Sequence, residues 1–226
     1  MQTPHILRDF DQAISTLRGH VLSMAGLARN NLERAVRALL ERNPELANAV
    51  IVDDDEVDEL ERRVDQLGME ILVRFHPVAT DLRLVVSSMK ISMNLERISD
   101  HATSIAKRAK KVSASAEIQE ANLIEPIYGL ADHLLRDAMA AYSDRNAVLG
   151  ASLHARDKEL DKMHKAANAT FGARIEQSSG RSQDYLHLIL ITRSLERVGD
   201  LATNIGEDAV FLDSAKDLRH ETNREM

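Results

Sequence analysis

The stretch Leu95-Glu96-Arg97-Ile98-Ser99-Asp100-His101-Ala102-Thr103-Ser104-Ile105 returns 100 positions later as Leu195-Glu196-Arg197-Val198-Gly199-Asp200-Leu201-Ala202-Thr203-Asn204-Ile205, with seven of the eleven positions identical. The shared pattern, L-E-R-x-x-D-x-A-T-x-I, spaces its apolar side chains three or four apart and its Glu and Asp four apart. That is the period of an α-helix with two carboxylates on one face. At about 100° per residue, Ile98, Ala102 and Ile105 fall within roughly 80° of Leu95 on one side, while Glu96 and Asp100 lie roughly 100° and 140° away on the other. Both acid pairs, Glu96 with Asp100 and Glu196 with Asp200, are therefore expected near the surface, beside the apolar stripe.

Working outward, Phe10, Ile14, Leu17, Val21, Met24, Ala28, Ala35 and Leu39 recur at helical spacing and predict a first helix over residues 5–42. Asn43-Pro44 is an N-cap followed by proline at the first helical position, and the second helix then runs to about Arg74, closed by His76-Pro77. A third helix, from about Thr80 to Lys111, carries the first copy of the motif. Leu32–Arg63 aligns without gaps on Leu135–Ala166 at an offset of 103, placing Arg42-Asn43 on Arg145-Asn146. The offset falls to 100 by the third helix, so the three-residue difference is expected in the Phe75–Asp81 connection, as loops tolerate deletions. Gly180-Arg181-Ser182 is the matching break in the second half, with Ser182 a candidate cap. Pro126 fits either a late start or a kink of helix four. The expected architecture is all-α: two tandem three-helix bundles of long antiparallel helices, spanning residues 1–113 and 114–226, with the sixth helix ending near Leu212 and a frayed tail from Asp213.

Composition narrows the chemistry. With 44% hydrophobic residues in 226, a real core is available, and 3% aromatics with four prolines and nine glycines favour helices over sheets. A net charge of −7 argues against nucleic acid as a partner and favours a cation or a basic protein surface. With no cysteine there is no disulfide, thiol nucleophile or thiolate metal site. No signal-peptide core is visible from Met1 to Phe10 and no run is long enough to span a bilayer, so a soluble cytoplasmic protein is expected. No phosphate-binding glycine loop, nucleophile elbow or dinucleotide fingerprint occurs, and the chain reads as non-catalytic.

The second helix of each half supplies further acids. Asp54, Asp58, Glu61 and Asp65 form a ladder with steps of four, three and four, aligned with Asp157, Asp161, His164 and Asn168. If the second and third helices of each half lie side by side, Asp54, Asp58, Glu96 and Asp100 converge in one half and Asp157, Asp161, Glu196 and Asp200 in the other. Carboxylates gathered so closely repel one another, and a multivalent cation would relieve the repulsion. An all-oxygen set suits Mg, Mn, Fe or Ca, and His164 adds an imidazole for Zn, Fe or Ni. An isolated pair of acids on a helix reads more simply as a solvated face; it is the recurrence at aligned positions that favours a metal. His101 is replaced by Leu201 in the other copy and reads as an exposed histidine without a role, and Met89 and Met93 read as core filling. A carboxylate-bridged metalloenzyme and a metal-free helical adaptor are the alternatives, the former disfavoured because no Glu-x-x-His occurs.

These features resemble the PhoU family, accessory regulators of the bacterial high-affinity phosphate transporter. The resemblance runs through His76-Pro77-Val78-Ala79-Thr80-Asp81-Leu82-Arg83, Lys90-Ile91-Ser92 and both copies of the acidic motif. It implies two PhoU-type three-helix bundles, surface metal clusters (Fe, Zn, Mn, Ni or Mg) on the eight acids named above, and frequent homodimers. It further implies a negative regulator of phosphate uptake and starvation signalling, partnered by the transporter's ATPase subunit and a sensor histidine kinase and reaching the membrane only through them. Two departures are visible: Ser99 stands where the family usually has Gly, read here as a small change, and Leu201 where it usually has His, which questions whether the two sites are equal.

Overall fold

The computed structural model describes residues 3–177 and 179–216. Among these, six long helices and no strand occur: α1 (Thr3–Leu40), α2 (Pro44–Phe75), α3 (Ala79–Ser113), α4 (Ile124–Asp144), α5 (Ala147–Gln177) and α6 (Ser182–Ser214), with 3-10 turns at Gln119–Leu123 and Ser179–Arg181. Helices α1 to α3 pack as one antiparallel three-helix bundle and α4 to α6 as another, and α3 lies against α6 where the two meet. No described helix is long and apolar enough to cross a membrane.

The internal repeat is visible in the first corner of each bundle. Arg42 and Arg145 both take left-handed backbone angles (φ 54° and 52°). The next amide then folds back to close the helix, Asn43 N–H donating to the Ala38 carbonyl and Asn146 N–H to that of Ala141, each at 2.9 Å. Each Asn then caps the following helix: Asn43 Oδ1 accepts from the amides of Glu45 and Leu46, and Asn146 Oδ1 from that of Leu149. At the other end of α2, His76 adopts φ 48°, and Pro77 prevents the helix from continuing.

Three expectations need correcting. The three-residue shortening falls on the helix rather than the loop: α3 begins at Ala79, sixteen residues before Leu95, whereas α6 begins at Ser182, thirteen before Leu195. A helix can lose most of a terminal turn without disturbing the packed positions beyond it. Ser182 is the first residue of α6 rather than its cap; Arg181 holds the cap position and makes no side-chain cap bond. Met93 is 47% exposed and not core, although Met89 does pack against the core. Pro126 is the third residue of α4, where its missing N–H costs no helical bond, so helix four starts late, after the 3-10 turn. Asp213 and Ser214 still belong to α6; the rest of the expected tail, from residue 217, lies outside the described residues.

Helices α3 and α6 are the axis of the molecule. Their small buried residues, Ser87, Ser88, Ser92, Ser99, Ala102 and Ala106 on α3 and Gly199, Ala202 and Gly206 on α6, let other helices approach on several sides. Arg83 Nε donates to the Leu212 carbonyl (3.2 Å) and Ser87 Oγ to that of Asp208 (3.3 Å), so each step up α3 is a step down α6. This antiparallel crossing sets the two copies of the motif against one another. Elsewhere between the bundles, Arg29 on α1 pairs with Asp132 on α4 (2.5 Å), Arg18 donates to the Ser143 carbonyl, and Tyr142 shares a buried hydrogen bond with Ser88.

Candidate functional site

In the first bundle, α2 presents Asp54, Asp58 and Glu61 to the face of α3 that carries Glu96 and Asp100. The packing is close because Gly68 on α2 leaves room for the Met89 thioether of α3; a Cβ there would lie 2.7 Å from its sulfur. The acids are half-buried apart from the exposed Asp100, and they feel one another. Glu96 is pushed up to about 7, first by burial and then by Asp100, Glu61 and Asp58. Burial, followed by Asp54 and Asp100, raises Asp58, and burial followed by Asp54 raises Asp100.

The second bundle repeats the arrangement with Asp157, Asp161 and His164 on α5 and Glu196 and Asp200 on α6. Asp157 is pushed up to about 6 by burial, then by Asp200 and Asp161. Glu196 and Asp200 are also raised, burial again being the main cause. His164 takes the place of Glu61, near Glu196, and is hydrogen-bonded to Asn168, whose Oδ1 accepts from Thr192 (2.7 Å). The fold thus brings the eight sequence-predicted acids into two groups of four, although no three His, Asp or Glu side chains among the described residues form a finished ligand set.

The halves differ at one position that sequence reading took as minor. Ser99 Oγ donates to Asp54 Oδ1 (2.6 Å) and accepts from Asn31 Nδ2 (3.4 Å), so one oxygen of the first cluster is already bonded. Its counterpart Gly199 has no hydroxyl, and a Cβ there would collide with Leu160 and approach Asp157 Oδ1 to 3.0 Å. Asp157 Oδ1 is buried with no hydrogen-bond partner. A buried, unsatisfied carboxylate oxygen calls for a cation or a proton, and the donor set around it is oxygen-rich with one imidazole nearby.

The arginines differ too. Arg197 bonds Asp200 (3.1 Å) and lies 3.5 Å from Glu196, partly neutralising the second cluster. Arg97 makes no such ion pair among the described residues, and its charge only partly offsets the burial and the three neighbouring carboxylates that raise Glu96. Between the bundles lies an open cleft of about 770 Å³, lined by Arg97, Asp100, His101 and Ser104 of α3, His154 and Asp157 of α5, and Arg197, Asp200 and Leu201 of α6. His101 is therefore not the exposed residue expected. It is half-buried, its pKa lowered by burial and then by Arg197 and Arg108, and it reaches the opposite bundle. Sequence reading missed His154 and this shared cleft. The spacing of His154 and Asp157 on one helical face was the only signal available.

The fold and site define a class: an all-helical protein of two pseudo-equivalent bundles, each with an acidic cluster on its second and third helices, joined across an open polar cleft. The PhoU domain model matches residues 21–109 and 124–209. The chain belongs to the PhoU family. It is 34% identical over 219 residues to the "phosphate-specific transport system accessory protein PhoU homolog" of Pseudomonas putida, covering 96% of this chain and 86% of that relative. It is 32% identical to the homologue so named in Pseudomonas aeruginosa, covering 96% and 90%. The crystal structure of PhoU from P. aeruginosa superposes with a TM-score of 0.88 at 31% identity, covering 92% of this chain and all of that one. A Streptococcus pneumoniae PhoU structure, at 23% identity and a TM-score of 0.85, shares the fold.

Proposed function

We propose that this protein is a non-catalytic accessory regulator of phosphate uptake that binds metal ions at its two acidic clusters and uses the resulting surface to engage protein partners. Membership of the PhoU family, with relatives named as accessory proteins of the phosphate-specific transport system, supports the transport role. The partners we assign are the transporter's ATPase subunit and a sensor histidine kinase, with the chain acting as a homodimer on the cytoplasmic side.

The observation that carries the metal reading is the unsatisfied, buried Asp157 Oδ1 beside Asp161, Glu196 and Asp200. These four would hold one ion, and Asp54, Asp58, Glu96 and Asp100 another. Bound cations would supply neutralising charge. The chain's own contribution is to hold the acids on two adjacent helices, keep them half out of water and reserve one oxygen of the second cluster. Ser99 already occupies Asp54 Oδ1 in the first cluster and Arg197 partly neutralises the second, so the two sites are unequal.

The test is elemental analysis of untagged protein after exposure to Fe, Mn, Zn, Ni and Mg and gel filtration, beside a variant with Asp157, Asp161, Glu196 and Asp200 changed to Asn or Gln. Stoichiometric metal in the parent and at least one equivalent less in the variant is the expected result. Equal, sub-stoichiometric metal in both would remove the metal reading and leave the acids as a docking face, the alternative favoured by the lack of a finished ligand set. Pull-downs with the ATPase subunit and the kinase then test the adaptor role directly.

A further inference from the structure

Beyond the acidic clusters, the seam between α3 and α6 turns cationic. From His101 to Arg108 on α3 and from Leu190 to Arg197 on α6, a groove of about 330 Å³ is lined by His101, Ser104, Arg108, Arg193, Ser194 and Arg197, with Leu190 on one wall and no carboxylate among its lining residues. In a chain of net charge −7 this is a local reversal of sign.

The arginines have unused hydrogen-bonding capacity. Arg193 is exposed and makes no hydrogen bond or ion pair among the described residues. Arg108 is held by Ser104, its Nη1 donating to that residue's carbonyl oxygen (2.9 Å) and to its hydroxyl, yet its Nε–H is buried without an acceptor. The Nε–H is enclosed and out of an anion's reach, but among the described residues the Arg108 Nη2 donors make no hydrogen bond and are left for one. Farther along the seam, outside the groove's lining, His187 has its pKa lowered, first by burial and then by Lys111 and Arg108, with Asp184 opposing.

We infer that this α3–α6 groove is a binding site for a phosphoryl-bearing small molecule, with Arg108 and Arg193 as its anchors and Arg197 and the Ser104 hydroxyl as supporting donors. The lining residues are rich in fixed positive charge and hydroxyls, and guanidinium forks match the paired oxygens of a phosphoryl group. One arginine satisfies a carboxylate; several with unspent donors suit a multiply charged oxyanion. The volume exceeds that of a single phosphate ion, and Leu190, 37% exposed, offers an apolar wall to whatever the phosphoryl group is attached to. The groove adjoins the second acidic cluster through Arg197, which bonds Asp200, whereas its two anchors, Arg108 and Arg193, make no ion pair with either cluster among the described residues.

The test is calorimetric titration of the full chain, in chelator and low salt, with inorganic phosphate, pyrophosphate, ADP and, as control, sulfate. The proteins compared are the parent, Arg193→Gln, Arg108→Gln/Arg193→Gln, and Arg62→Gln/Arg63→Gln on the distant exposed face of α2. The expected result is saturable binding of pyrophosphate or ADP at least about tenfold tighter than sulfate, weakened about tenfold by Arg193→Gln and further by the double variant. Tighter pyrophosphate than ADP names an inorganic ligand, and the reverse an organic one. Arg193→Gln removes an exposed side chain with no bond to lose, so folding is not at issue. No heat with any phosphoryl compound at millimolar concentration overturns the proposal. An equal loss in the Arg62/Arg63 variant does too, since net charge rather than this groove would then be responsible.

Discussion

Ser99 and Gly199 occupy equivalent places, yet one donates a hydrogen bond to a carboxylate and the other clears space for one. The repeat made the acids legible in the sequence: two copies of Glu-x-x-x-Asp, with aligned acids on the preceding helix, can hardly fall on one helical face twice by chance. The hydroxyl's role was not legible, because it depends on which atom faces Asp54 across the helix gap. The raised carboxylates also have a consequence for stability. Glu96, at about 7 against an ordinary 4.5, and Asp157, at about 6 against 3.8, hold protons in the folded chain that the unfolded chain has already released. Between those values the native state binds more protons, so stability is highest below the unfolded pKa and falls as pH rises through the folded one. Metal-free protein is therefore expected to lose melting temperature steadily from about pH 4.5 to about pH 7 in circular-dichroism melts. Glu96→Gln/Asp157→Asn should flatten that decline; an unchanged slope would mean that these two groups do not titrate in this window.

At the scale of elements, α5 and α6 touch at glycines where α2 and α3 use alanines. Gly150 and Gly206 align with Ala47 and Ala106, and a Cβ on Gly150 would sit 2.6 Å from the Gly206 carbonyl oxygen. The neighbour there is backbone, which cannot rotate away. Gly150→Ala is thus expected to destabilise by roughly 1–3 kcal/mol of overpacking, outweighing the ~1 kcal/mol that alanine gains in helix propensity. Gly19→Ala and Gly26→Ala on α1, where a Cβ meets nothing within 4 Å, should instead stabilise by up to about 1 kcal/mol. Urea melts of the three variants decide the matter, and stabilisation by Gly150→Ala would show that α5 can move off α6. Helix existence and the Asn caps were readable from period and residue type. The three-residue difference falls within the expected Phe75–Asp81 stretch, but as the first residues of α3 rather than as loop, because sequence alignment cannot tell a shorter loop from a helix that starts one turn later.

For the whole molecule, the two bundles are joined by more than their linker. Asp132, nearly buried on α4, is held by Arg29 of α1 and, at 3.4 Å, by Arg136 of its own helix. The Arg42 guanidinium, in the turn after α1, fixes the start of the linker by binding the carbonyls of Ser113, at the end of α3, and Ser115, and Lys90 on α3 lies 3.7 Å from Asp208 on α6. With α3 and α6 each serving both its own core and the shared seam, unfolding is expected as a single cooperative transition, its calorimetric and van't Hoff enthalpies equal. Arg29→Ala should lower stability by roughly 1–3 kcal/mol, as it strips a charge-assisted bond from a nearly buried carboxylate. Two resolved transitions would show that the bundles melt independently.

The sequence by itself determined the helices, their number, the twofold repeat and the positions of eight acids, because all of these follow from local periodicity and residue chemistry. Only the tertiary structure decided that the two motif copies face each other antiparallel across α3 and α6. From that packing come the open cleft, the inward turn of His101 and the cationic groove beyond it. Such features join side chains some hundred residues apart, and no periodicity within a helix reports which faces of two distant helices meet.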